Sequence, residues 1–388
     1  MSKTVIFCAD GTWNGPEDAS GESVLDASDV AEELSESALT NVVKLYANLA
    51  GTPSADTIAL KGESEKQLVG ADGAVRQVAK YLHGVGDSSN ILVKLMGGIF
   101  GMGVVARIVR GYTFLSRSYA PGDDLVICGF SRGAYTARAL AGMIAQIGLL
   151  DPATYDPQAK VQAYRLGIAA WARSKSLQLN GKGAMTAAAS EIISLIERLL
   201  AAPLQTQNLR PEVPIRCVAV WDTVGSLGIP DYVKGARTDL FRFTDTTLSE
   251  SVQLGFHALA LDEQRIDFPV TKWDTRAGVT QSWFIGAHAD VGGGYPASES
   301  RLSDVAFEWM SANLAGVGLE YVSPSSYVPQ EAGFLTQPIH TPWTVPPFDH
   351  LGRAARRIDS TDQIDATVKA RWNADPTYRP APLTAIWT

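Results

Sequence analysis

The sequence predicts an α/β protein built on a mostly parallel sheet with helices on both faces, and three observations predict it. Four short runs of apolar and β-branched residues, 4–9, 124–129, 215–221 and 282–287, are too continuous to alternate between core and solvent, so they read as strands buried on both sides. Helical patterns at 41–49, 104–118, 134–147 and 302–314 separate them, and this alternation implies βαβ units with right-handed crossovers. Each strand run stops at a polar or glycine-rich turn, where functional residues of such sheets collect.

The first run ends on Asp10 and Gly11, and residues 11–40 carry Gly, Ser, Asp and Glu with few large apolar groups, as a mobile surface loop would. Residues 151–210 break the alternation. There 159–172 and 184–200 read as two amphipathic helices with no strand between them, a helical insertion and candidate cap. Its apolar positions Ile192, Ile193, Leu195, Ile196, Leu199 and Leu200 either cover an active-site mouth or pack on the core. From 320 to 388 the chain is punctuated by Pro324, Pro329, Pro338, Pro342, Pro346 and Pro347, too often for a long helix. That tail is expected to wrap a single domain spanning 1–388.

With 388 residues, 46% of them hydrophobic and 19% charged, the chain has the composition of a folded protein with a sizeable core. A formal charge of −8 without clustered Lys or Arg argues against a nucleic-acid partner. Cys8, Cys128 and Cys217 each sit inside an apolar run, with neither paired nor CxxC spacing, which fits a reducing compartment and gives no zinc site. The amino terminus is interrupted by Asp10 too soon for a signal peptide, and the apolar stretch 96–109 is broken by Gly97, Gly98, Gly101, Gly103 and Arg107 before it could span a membrane. A cytoplasmic protein is expected. That same stretch is a candidate border for a greasy mouth, or a plain buried helix entry.

The chemistry centres on Gly129-Phe130-Ser131-Arg132-Gly133, a Gly-x-Ser-x-Gly run between a buried strand and a helix-forming segment. Small residues at both ends permit a turn tight enough to lift the serine Oγ above the sheet, the nucleophile elbow of an α/β-hydrolase-like fold. A serine needs a base, and the base an orienting carboxylate, found in that fold in the chain order Ser, Asp or Glu, His. Asp222, ending the run 215–221, and His288, following 282–287, meet that order. His257 is the second candidate base, read on a helical pattern over 256–261, and Asp262 and Asp267 compete as the acid; the alternative reading of Asp222 is a cap of the turn that follows it. Oxyanion donors are expected from the backbone of Arg132 and from Gly11 and Thr12 at the first strand end. Asp10, Phe130 and Asp290 flank these groups and are expected to support them or line the substrate cleft.

Two other patterns are set aside. The glycines at 98, 101 and 103 lack the spacing and preceding strand of a dinucleotide site, and His288, Asp290 and Asp10 without a further histidine do not make a metal site, so no cofactor or metal is expected.

At four segments the sequence resembles the catalytic domain of the type VI secretion phospholipase effectors. They are Phe7-Cys8-Ala9-Asp10-Gly11-Thr12-Trp13-Asn14, Gly129-Phe130-Ser131-Arg132-Gly133-Ala134-Tyr135-Thr136-Ala137-Arg138, Val220-Trp221-Asp222-Thr223-Val224-Gly225, and Gly286-Ala287-His288-Ala289-Asp290-Val291-Gly292-Gly293-Gly294-Tyr295. The resemblance implies an α/β-hydrolase fold, a Ser131, Asp222, His288 triad and lipid ester hydrolysis, with peripheral membrane contact and export by a signal-independent secretion system compatible with it. Such effectors tend to carry a sizeable extra region for membrane attachment, whereas here the hallmark domain occupies nearly the whole chain. Hydrolysis of a soluble ester or thioester, and a catalytically silent member that binds a ligand or partner, therefore stay open as alternatives.

Overall fold

A computed structural model describes residues 2–11, 38–53, 63–83, 102–179, 185–224, 247–346, 348–350, 352–384 and 386–387. Eleven strands are described: β1 (Thr4–Ala9), β2 (Thr52–Pro53), β3 (Glu63–Val69), β4 (Val75–Leu82), β5 (Asp124–Phe130), β6 (Leu149–Leu150), β7 (Leu209–Arg210), β8 (Ile215–Trp221), β9 (Val252–Ala260), β10 (Val279–Phe284) and β11 (Gln363–Ile364). The helices are α1 (Asn41–Asn48), α2 (Met102–Ser118), α3 (Arg132–Ile147), α4 (Lys160–Leu179), α5 (Met185–Leu200), α6 (His288–Gly292), α7 (Arg301–Val317), α8 (Ala366–Ala374) and α9 (Ala381–Thr384).

Nine strands form one sheet in the order β11-β10-β9-β8-β5-β1-β4-β3-β2, parallel from β11 through β4 and antiparallel at β3 and β2. The double-sided burial read from the sequence follows the strand pleat. Val5, Phe7, Leu125, Ile127, Val218 and Val220 face α2 and α3, while Ile6, Cys8, Val126, Cys128, Cys217 and Ala219 face α1 and α7. Each of these side chains is fully buried, and each Val, Leu, Ile or Phe among them stabilises the fold by about 1.5–3 kcal/mol. Among the described residues no helix is long and apolar enough to cross a membrane.

Two regions of the sheet depart from the sequence reading. The segment 256–261 is not helical: it ends β9, which pairs in parallel with β8 on one side and β10 on the other. Its Ala258 and Ala260 are fully buried under α7, so small side chains that favour a helix in isolation here allow a close helix-on-sheet approach. The antiparallel pair β3 and β4 escapes the pattern altogether because β3 is rich in charge. Glu65 lies opposite Lys80 in register and its carboxylate is taken by Lys80 and Arg117, so a charged strand is buried by cross-strand pairing.

In the insertion, β6 and β7 pair antiparallel and close the base of a segment whose α4 packs against α2, with Gly167 set against Val109 and Thr113 and with Leu166, Ile168 and Trp171 buried in the same core. Ile193 and Ile196 on α5 are buried in the same cluster, while Leu195 and Leu199 are exposed. The 12–37 part of the expected loop and the glycine-broken stretch up to 101 lie outside the described residues.

Candidate active site

Parallel register brings four strand ends to one rim. Ala9 on β1 lies beside Gly129 on β5, and Phe130 lies beside Trp221 on β8, so Asp10, Ser131 and Asp222 all leave the sheet at neighbouring points. Ser131 N–H donates to the Trp221 carbonyl at 3.2 Å, which fixes the elbow against the base of Asp222. Both residues have positive φ, 56° for Ser131 and 34° for Asp222. Such backbone is costly for a residue with a side chain and persists only where packing imposes it.

The elbow glycines are imposed by backbone contact. A Cβ on Gly133 would stand 2.0 Å from the Ala9 carbonyl oxygen, and one on Gly129 2.4 Å from that of Gly133. Helix α3 can therefore start directly over the sheet, with Arg132 as its first residue and its free amides at the serine. Gly11 lies close by, since a Cβ there would be 3.5 Å from that of Ser131.

Asp222 is completely buried. Its Oδ1 accepts from Ala260 N–H at 3.0 Å and Arg356 Nη1 at 2.9 Å; its Oδ2 accepts from Arg356 Nη2 at 3.0 Å and pairs with His288 Nδ1 at 2.6 Å. Burial pushes this carboxyl up, but the Arg356 guanidinium and His288 more than reverse that and hold it well below the usual carboxylate range. Asp222 is thus an anion, His288 donates from Nδ1, and the lone pair lies on Nε2.

That Nε2 is buried and makes no hydrogen bond to Ser131 Oγ or to any other described residue. His288 opens α6, its N–H donates to Glu263 Oε2 at 3.1 Å, and its ring packs 4.7 Å from that of Phe130 and 5.2 Å from that of Phe268. Glu263 is in turn held by Arg265 through Nε at 2.9 Å and Nη2 at 2.8 Å. Burial lowers the His288 pKa against the opposing pull of Asp222, which favours the neutral imidazole a base requires.

His257, the second candidate base, is turned to another task. Its Nε2 accepts from Thr223 N–H at 3.1 Å and its Nδ1 lies 3.4 Å from Gln281 Oε1, so it holds the backbone just after Asp222 as a neutral ring. Burial brings its pKa down to about 3. Of the competing acids, Asp262 accepts from Gly286 N–H at 2.7 Å and Tyr378 OH at 3.1 Å, and burial pushes its pKa up to about 6.

Asp10 is buried, accepting from Tyr81 OH at 2.6 Å, Thr40 OH at 2.8 Å and Gly11 N–H at 2.6 Å, and burial pushes its pKa up to about 6. The Gly11 amide is therefore bonded to its neighbour's carboxylate, while Thr12 and Gly225 lie outside the described residues. Asp290 binds back to the start of its own helix at Ala287 N–H, 2.9 Å, and pairs with His340 Nδ1 at 2.6 Å. Among the described residues no cluster of three or more His, Cys, Asp or Glu is arranged to hold a metal ion. Sequence reasoning missed Arg356 and Glu263: each stands in a charged run, Arg353 to Arg357 and Asp262 to Arg265, that reads as a solvated surface.

The model of the family described as "T6SS, Phospholipase effector Tle1-like, catalytic domain" matches residues 3–313. The chain belongs to this family. Among curated proteins, this Tle1-like domain is similar to "Uncharacterized protein YEL023C" of Saccharomyces cerevisiae, with 29% identity over 266 residues, 69% of this chain and 32% of that protein. Among solved structures it is similar to an uncharacterized protein from Pseudomonas aeruginosa, with 17% identity, TM-score 0.43, and coverage of 98% of this chain and 51% of that one. It is also similar to a Tle1 effector solved bound to the VgrG spike of the type 6 secretion system, with 17% identity, TM-score 0.34, and coverage of 76% and 51%. The chain thus spans 32% of the curated relative's length and 51% of each solved chain. Within the Tle1-like match fall Ser131, Asp222 and His288, whereas Arg356, His340 and Tyr378, which reach the site's acids, lie beyond its end.

Proposed function

We propose that this protein hydrolyses carboxylic esters of lipids, phospholipids first among them, through an acyl-enzyme on Ser131. The observation that carries the reading is the 2.6 Å pairing of a buried, ionised Asp222 with His288 Nδ1, which leaves a basic Nε2, without a hydrogen-bond partner among the described residues, beside the Phe130-Ser131 elbow. A hydrogen bond from a nucleophile to its base is often long or unformed without substrate.

In the first step Ser131 Oγ attacks the ester carbonyl while its proton passes to His288 Nε2. The oxyanion is met by the Arg132 amide at the start of α3 and by amides of the first strand-end turn, Gly11 and Thr12. Gly11 serves only after its N–H leaves the Asp10 carboxylate. Collapse breaks the bond to the alcohol, which departs with the proton from Nε2. Water then gives a proton to Nε2 and its oxygen to the acyl carbon, releasing the acid and restoring Ser131. Asp222 keeps His288 in the required tautomer and stabilises the imidazolium formed in both steps.

Membership of a phospholipase-effector family supports an acyl lipid as the ester, reached by peripheral contact with its surface. The test is hydrolysis of phosphatidylcholine and phosphatidylethanolamine liposomes, followed by mass spectrometry, with a p-nitrophenyl ester in parallel. Release of fatty acid or lysolipid, lost by about 10³-fold or more in Ser131→Ala, is expected. Hydrolysis of the soluble ester alone would overturn the lipid assignment, and wild-type turnover by Ser131→Ala would overturn the serine mechanism.

A further inference from the structure

We propose that Arg356, outside the family-matched part of the chain, is a positioning residue for catalysis, locking the Asp222 carboxylate so that Oδ2 faces His288 and damping its charge. The inference rests on the proposed mechanism and deepens it.

The geometry is that of a built contact. Arg356 is 8% exposed; its guanidinium forks across both carboxylate oxygens at 2.9 and 3.0 Å, and Nη2 also donates to the Phe268 carbonyl at 3.0 Å. Fork-to-carboxylate pairing fixes the plane of an acid as well as its position. With Ala260 N–H and His288 Nδ1 the carboxylate has four donors, which fills its four lone-pair sites, so rotation about its Cβ–Cγ bond would break every one.

The backbone that delivers Arg356 is itself anchored. Residues Arg265 and Arg353 form an antiparallel bridge, Ile266 N–H donates to the Gly352 carbonyl at 3.2 Å, and Ala354 N–H donates to that of Gln264 at 2.8 Å. The same 263–268 segment holds the His288 amide through Glu263 and packs Phe268 on the His288 ring. One loop therefore sets the positions of the base and, through residue 356, of its acid.

The electrostatic consequence has a definite sign. The charged groups facing His288 are Asp222 from the end of β8 and Glu263 and Arg265 from the loop after β9, with Arg356 from the tail bound to Asp222 behind them. A cation bound to Asp222 opposes the imidazolium that Asp222 stabilises, so His288 remains a free base to lower pH than it would beside an unscreened carboxylate. Removing that cation favours the protonated ring and moves the acid limb of activity upward.

The experiment measures kcat and KM against pH on a soluble p-nitrophenyl ester for wild type, Arg356→Gln, Arg356→Lys and Ser131→Ala, with circular dichroism on each. Arg356→Gln is expected to lose up to about 10²-fold in kcat with little change in KM, and to shift its acid limb roughly one pH unit upward. Arg356→Lys, which restores the charge without the fork, is expected to return the limb to its wild-type position while kcat stays reduced. A folded Arg356→Gln with wild-type kcat and acid limb overturns the proposal, as does a reduced kcat with an unmoved limb. If Arg356→Gln does not fold, Arg356→Lys decides: a folded Arg356→Lys with reduced kcat and an unmoved acid limb supports the lock on the carboxylate, and one with wild-type kcat overturns it. Activity persisting in Ser131→Ala would instead strike the serine mechanism, which separates the two failures.

Discussion

The strand ends and the tail build the same site by different means. On β1, β5, β8 and β10, sheet register alone brings residues from four distant parts of the sequence to one rim, and sharp backbone turns aim them. Among the described residues the tail contributes to the sheet only its edge, the two residues of β11, yet it places a partner on three of the rim's acids: Arg356 on Asp222, His340 on Asp290 and Tyr378 on Asp262. The comparison teaches a division of labour. Strands bring Asp10, Ser131 and Asp222 to one rim, and the tail supplies hydrogen-bond partners to three carboxylates there.

That division ranks the effects of substitution. Asp222→Asn should cost about 10⁴-fold in kcat on a soluble ester, as loss of the triad acid does in serine proteases, and far more than Arg356→Gln; the reverse order would break the comparison. Gly133→Ala should lower stability by about 1–3 kcal/mol in urea unfolding, because its Cβ would meet the Ala9 carbonyl oxygen at 2.0 Å; an unchanged midpoint would mean the elbow has room to spare.

His257 sharpens the same contrast from within the sheet. Its pKa is about 3 when folded against 6.5 for the free side chain, so below pH 6.5 the unfolded chain takes up a proton that the folded one refuses. Its contribution is complete above pH 6.5 and is lost as pH falls from 6.5 toward 3, by at most about 1.4 kcal/mol per pH unit. In His257→Gln the urea-derived stability should fall less steeply across that window, and kcat should drop far less than in His288→Ala.

The smallest effect is expected at His340, which is raised above its ordinary pKa by Asp290 and Glu299 against the opposing cost of burial. Its contribution is therefore present below the unfolded histidine value and lost as pH rises through the folded one. His340→Gln should cost about 1 kcal/mol or less at pH 6, and the difference from wild type should fade at higher pH.

Much of the architecture is legible in the sequence because a strand buried on two faces leaves a run no surface segment imitates. The run 215–221 is such a case, and its ending at Asp222 needed only the strand rule. Residues 256–261 misled because Ala, Leu and His carry little β-branching; only the flanking strands and the close approach of α7 make them a strand. β3 was hidden since Glu63 and Glu65 are buried by cations from β4 and α2, partners invisible without the pairing. Arg356 was hidden for the same reason: 134 residues separate it from Asp222, and its run of arginines has no periodicity that marks one as buried.

The most direct measurement is a crystal structure of the protein reacted with a long-chain fluorophosphonate. Phosphorus bonded to Ser131 Oγ is predicted, with His288 Nε2 turned to the adduct at about 3 Å and the Asp222 contact to Nδ1 retained. Phosphorus on another side chain, or an adduct on Ser131 with the imidazole of His288 out of reach, would contradict the account.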